Sequence, residues 1–292
     1  MIETAWVARS RPTAINTILQ EVRALEADGK TILSLMRGQP DTPTPTHIVE
    51  AAFRALRDGR TGYPDNQGEP GLRRAVAEKL ARDQGLHYDP DSEILITDGA
   101  TCGIALALAA LIQPGNEVLL PDPIYDAYLS PIALWGSGAV RVPASICAGR
   151  FMFDQAALEA SYNPRVKVLL LNSPWNPVGT VLTRTELQAI MDFACNRNLF
   201  VISDEIYEAL VYDGREHVSP ASLSSQARQR RWPWRPTLRN SRRTVDGPSW
   251  RGCGRSPHCW QVRMRLLPGT TSVMGALPGC AIGFALAARR RL

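Results

Sequence analysis

Two apolar runs constrain what this chain can fold into. Val168, Leu169, Leu170 and Leu171 form one, and Phe200, Val201 and Ile202 form the other. A strand with one wet face alternates apolar and polar side chains. A strand that is apolar at every position must be covered on both faces, which is the mark of a parallel sheet inside helices. Each run ends abruptly in polar residues, Asn172 and Ser173 for the first and Ser203 and Asp204 for the second. Between them, residues 183–195 read as a helix opened by a capping box, Thr183 with Glu186 three residues on. The same alternation runs backwards along the chain. Residues 94–97, 117–120 and 139–142 read as strands, and residues 101–112, 125–134 and 155–160 as helices. The pattern predicts an α/β fold, a three-layer α/β/α sandwich with a mostly parallel sheet.

Upstream, Ile15, Ile18, Leu19, Val22 and Leu25 recur at helical spacing, so residues 15–28 form a helix that Asp28-Gly29 stops. Residues 31–35 suggest a short strand. Helices are expected at 46–58 and 69–84, with a long polar loop at 61–68. After Leu223 the alternation ends. The chain holds 33 Lys and Arg against 28 Asp and Glu. Fourteen Arg and one acid, Asp246, follow Leu223, leaving 19 basic and 27 acidic residues before it. A body of net charge −8 is thus joined to a tail of +13.

These features exclude several function classes. The start shows no basic stretch followed by an apolar run, so no secretory leader is expected. Residues 274–288 are apolar but interrupted by Gly275, Pro278, Gly279 and Gly283, and fall short of the ~20 residues of a membrane helix. No membrane partner is expected. Six irregularly spaced cysteines in a long chain fit free thiols in a reducing, cytoplasmic setting. Arginines in the tail, with Trp232, Trp234, Trp250 and Trp260, would attract nucleic acid. No nucleic-acid-binding motif accompanies them, and no nucleic acid is expected. Cys253, His258 and Cys259 match no zinc-ligand spacing, so no metal is expected.

Ligands of open α/β sheets bind beyond the carboxyl ends of the strands. Three polar groups fall there. Gly99-Ala100-Thr101 joins a strand to a helix, where free N–H groups suit a phosphate or simply make a tight connection. Asn176 stands before Pro177 in a rigid turn, either as a turn former or as a donor to a ligand oxygen. Asp204 ends a buried strand, where a carboxylate needs a cation or caps the next helix.

In order and spacing, Gly38-Gln39-Pro40-Asp41, the loop from Tyr63 to Gly68, Asn176-Pro177-Val178-Gly179 and Ser203-Asp204-Glu205-Ile206-Tyr207 resemble the class I aminotransferases. These are pyridoxal 5'-phosphate (PLP) enzymes of fold type I. The resemblance covers residues 13–222. It implies that Asp204 pairs with the pyridine nitrogen and that Asn176 and Tyr207 bond the ring's phenolic oxygen. It further implies that Tyr125 stacks on the ring and that Ala100 and Thr101 hold the phosphate. Gly38 would leave room for substrate. Tyr63 would reach the phosphate of a neighbouring subunit, so a homodimer is implied. The reaction implied is amino-group transfer from an L-amino acid to a 2-oxo acid.

The departure comes after Leu223. The family's Schiff-base lysine lies beyond this point, yet the chain's lysines are Lys30, Lys79 and Lys167 alone. Arginine is always protonated and cannot replace it. Lys167 precedes its apolar strand and belongs at the end opposite the site. The expected organisation is an N-terminal arm and small-domain segment at 1–45, an incomplete PLP-binding large domain at 46–223, and an aberrant, poorly ordered basic tail at 224–292. A family chain inactive as written is the leading expectation, and a non-catalytic PLP- or amino-acid-binding protein is the alternative.

Overall fold

The computed structural model describes residues 14–35, 38, 43–223, 260–265 and 284–290, the last two stretches by their backbone. Helices α1 (Ala14–Ala27), α2 (Thr46–Arg57) and α3 (Pro70–Gln84) precede strand β1 (Ile94–Thr97). Then follow α4 (Gly99–Leu111), β2 (Glu117–Asp122), α5 (Leu129–Leu134) and β3 (Gly138–Pro143). A hairpin of β4 (Ser145–Cys147) and β5 (Arg150–Met152) leads to α6 (Gln155–Ser161), β6 (Val166–Asn172), α7 (Arg184–Asn196) and β7 (Phe200–Asp204). Strands β8 (Trp260–Arg265) and β9 (Phe284–Arg290) complete a seven-stranded sheet in the order β1-β9-β8-β7-β6-β2-β3. Only β9 runs against its neighbours.

The apolar runs divide their side chains between two layers, as a pleated strand must. Leu119, Leu169, Leu171 and Val201 face α6 and α7, packing with Leu158, Leu187, Ile190 and Phe193. Val118, Leu120, Val168, Leu170 and Ile202 face the other way and pack with Ile104, Leu108 and Ile132 of α4 and α5. This is the three-layer sandwich expected from the sequence. The Thr183 capping box forms with both of its bonds.

Several local expectations need correction. Residues 31–35 form no strand, and Leu33 and Leu35 stand exposed because no described strand lies beside them to pair with. The helix expected at 125–134 is a three-residue turn, Asp126–Tyr128, followed by the separate α5. Pro131 lacks an N–H and cannot bond back into that turn, so the helix starts afresh around it. Helix α4 begins two residues earlier than expected, at Gly99, whose φ of +89° only glycine adopts easily. The β4–β5 hairpin turns on Ala148 and Gly149, both at positive φ.

Beyond Leu223, strands β8 and β9 lie between β7 and β1 in the sheet. Trp260, Val262 and Met264 alternate with Gln261, Arg263 and Arg265, a period of two that suits a strand. The cysteine–histidine group and the tail tryptophans 232, 234 and 250 lie outside the described residues.

Candidate active site

The carboxyl ends of β6 and β7 lie side by side, with Asn172 opposite Asp204 in register. From that pairing the site is built outward. Asn172 donates from Nδ2 to the Asp204 carbonyl at 3.0 Å, and its Oδ1 accepts the Asn176 N–H at 2.7 Å. The turn is closed by a Trp175–Thr180 bridge and by the Trp175 indole N–H, which donates to the Pro123 carbonyl at 2.8 Å. Asn176 is thereby fixed, and its Nδ2 donates to the Tyr207 hydroxyl at 3.2 Å. The peptide bonds before Pro123, Pro174 and Pro177 are cis.

Asp204 is 2% exposed. Its Oδ2 accepts the Tyr128 hydroxyl at 2.6 Å and its Oδ1 the Ile206 N–H at 3.2 Å. Burial pushes its carboxyl up to about 6, against the lowering effect of those two bonds, and the charge of Glu205 adds to the rise. Burial also raises Tyr128 well above its usual range, with the Asp204 charge adding to it. Tyr207 is raised by burial and then by Asp204. Tyr128 was missed in the sequence. The signal was its three-residue spacing from Tyr125 within one turn, and their rings meet edge to face at 5.4 Å.

A second buried acid secures the strand from behind. Glu205 is wholly buried, accepting the Ser219 hydroxyl at 2.9 Å and lying 2.9 Å from His217 Nε2. This ties residues 217–219 to the end of β7. Glu208, His217 and Glu205 bring potential ligand atoms within 4.8 Å of one another. The Lys79 ammonium, 2.7 Å from Glu208, already supplies a cation there.

In front of these groups opens a cavity of about 650 Å³ lined by Gly38, Thr101, Tyr125, Asn176, Tyr207 and others. Ala100 is buried at the start of α4, one residue behind Thr101. Asp204 is not in the wall; it bonds Tyr128, and its charge acts on Tyr207, which is in the wall. Tyr63 is not in the wall. It is fully exposed, on a loop anchored by Gly68, whose φ is +93° and whose added Cβ would lie 2.4 Å from Ile96. None of the three lysines lines the cavity. Lys167 donates to the Pro164 carbonyl at the amino end of β6, as its place in the sequence implied.

The family model for aminotransferase class I and II matches residues 30–230. Among curated proteins, the probable N-succinyldiaminopimelate aminotransferase DapC of Mycobacterium tuberculosis is 42% identical over 221 residues. That match covers 76% of this chain and 55% of the relative. A probable aspartate/prephenate aminotransferase of Aquifex aeolicus is 38% identical over 222 residues, covering 76% and 56%. The solved N-succinyldiaminopimelate aminotransferase of Mycobacterium tuberculosis superposes with a TM-score of 0.75 at 31% identity, over 98% of this chain and 64% of that one. This chain spans about half the length of the curated relatives it matches.

Proposed function

This chain belongs to the class I and II aminotransferase family, whose cofactor is PLP, and on that premise we propose that the cavity beyond β6 and β7 holds PLP without a covalent bond. The observation that carries the reading is the buried Asp204 carboxylate beside the Asn176–Tyr207 pair. A carboxylate is costly there unless something cationic faces it, and a protonated pyridine nitrogen is such a group. When bound, PLP supplies an electron sink for carbanion chemistry at an amino acid Cα.

The residues divide the work. Asp204, oriented by Tyr128 and the Ile206 N–H, holds a proton on the ring nitrogen. Asn176 and Tyr207 offer hydrogen bonds to a phenolic oxygen. Tyr125 offers its ring as a stacking surface. The start of α4, at Ala100 and Thr101, offers N–H groups and a helix dipole to a phosphate. Gly38 leaves the substrate side open, since a Cβ there would meet nothing within 4 Å.

The reaction class is amino-group transfer between an L-amino acid and a 2-oxo acid. Proton transfer at Cα needs an amine that is both covalent anchor and base. Lys79 is committed to Asp83 and Glu208, and Lys167 lies at the far end of β6. The proposal is therefore a chain that binds PLP without turnover. The exposed Tyr63 fits a homodimer in which it reaches the partner's site. No described helix is long and apolar enough to cross a membrane. The free thiols Cys102, Cys147 and Cys195 suit a cytoplasmic setting.

Titration with PLP, followed by absorbance, tests the reading. Saturable binding is expected, weakened about tenfold or more by Asp204→Ala, because bonds to charged groups contribute roughly 1.5–3 kcal/mol. Equal affinity in parent and variant would remove Asp204 from the site.

A further inference from the structure

Helix α1 buries none of its residues, and it has no acidic side chain in its own first turn. Yet Ile15 and Asn16, at its start, form part of the cavity wall. The first-turn N–H groups of a helix have no partner within the helix, and the dipole there favours a negative charge. The Ala14 N–H is satisfied from 112 residues away, donating to Asp126 Oδ2 at 2.9 Å.

Asp126 sits in the short turn whose other residues build the cofactor side. Tyr125 lines the cavity and Tyr128 bonds Asp204. One turn therefore reaches the buried acid with one side chain and the N-terminal helix with another. Asp126 Oδ1 is buried, with no hydrogen-bond partner among the described residues. A carboxylate placed like this needs compensation, and the start of α1 provides it.

We propose that Asp126 is a positioning residue that latches α1 onto the site, so that Ile15 and Asn16 form the wall on the substrate side. This rests on the reading of the cavity as a cofactor and substrate site. The latch acts on α1, while the Asn172–Asp204 pairing at the ends of β6 and β7 is held without it.

Amide hydrogen exchange of the full chain without ligand tests it, with PLP titration alongside. Asp126→Ala should speed exchange over residues 14–20 by about tenfold, leaving α5 as in the parent. Asp126→Asn keeps an acceptor oxygen and should retain part of the protection. PLP titration of the same variants reports the cofactor site separately, because Asp126 also lines the cavity. Unchanged exchange in Asp126→Ala would overturn the latch, as would equal loosening of α5. If neither parent nor variant binds PLP while the difference at 14–20 persists, the latch stands and the cofactor reading falls.

Discussion

Helices α2 and α7 carry the same kind of amphipathic stripe and meet different ends. Helix α7 opens with a capping box and buries Leu187, Ile190, Met191, Phe193 and Ala194 against the sheet. Helix α2 has no side-chain cap and buries nothing, leaving Val49 50%, Phe53 58% and Leu56 37% exposed. The periodicity of a helix says that a face needs covering, not what covers it. For α7 the cover is the chain's own sheet. For α2 no described residue buries the apolar face, and Tyr63, further along the chain, is exposed as well.

The sharpest way to break this comparison is truncation in both helices. Leu187→Ala should cost about 2–5 kcal/mol of unfolding free energy, the usual range for a buried leucine. Phe53→Ala should stay within about 0.5 kcal/mol in dilute protein, as for an exposed position. Urea unfolding at low concentration measures both. Comparable losses would mean that α2 is covered within the single chain.

The buried edge also titrates, which the exposed helix cannot imitate. The folded value of Asp204, about 6, lies above the ordinary 3.8, so the folded state holds this proton more tightly than the unfolded chain. Stability from this group is greatest below about pH 4 and falls as pH rises through about 6, by up to ~3 kcal/mol. Asp204→Asn should flatten that part of the profile in protein free of PLP. A parent whose stability rises over the same window relative to the variant would reverse the assignment.

A smaller effect sharpens the account of α7. Thr183→Ala removes the capping hydroxyl and should cost ~1 kcal/mol, whereas α2 offers no side-chain cap to remove. A thermal unfolding shift indistinguishable from zero would show that the packed face of α7 carries the helix without its cap.

These contrasts also mark what could be read in advance. Strands β6 and β7 were legible because their central residues, 168–171 and 200–202, are all apolar, and Asn172 and Asp204 mark where those runs end. The capping box was legible because it is local. Tyr128 and Asp126 were not, since their roles depend on partners 76 and 112 residues away. Residues 31–35 misled because an apolar stretch resembles a strand whether or not a neighbour exists to pair with it. In the stretch after Leu223, β8 alternates polar and apolar residues, but that pattern names no neighbours for β8 or β9. Their places in the sheet depend on the gap between β1 and β7, which only the assembled fold defines.

A PLP site without a covalent anchor is open to direct test. The direct measurement incubates the purified chain with PLP, L-amino acids and 2-oxoglutarate or pyruvate. Borohydride is then added and the peptides are mapped. The account predicts saturable PLP binding that dialysis reverses, no fixed lysine adduct, and no new amino acid above background. Sustained formation of amino acid, with an adduct at Lys30, Lys79 or Lys167, would contradict it.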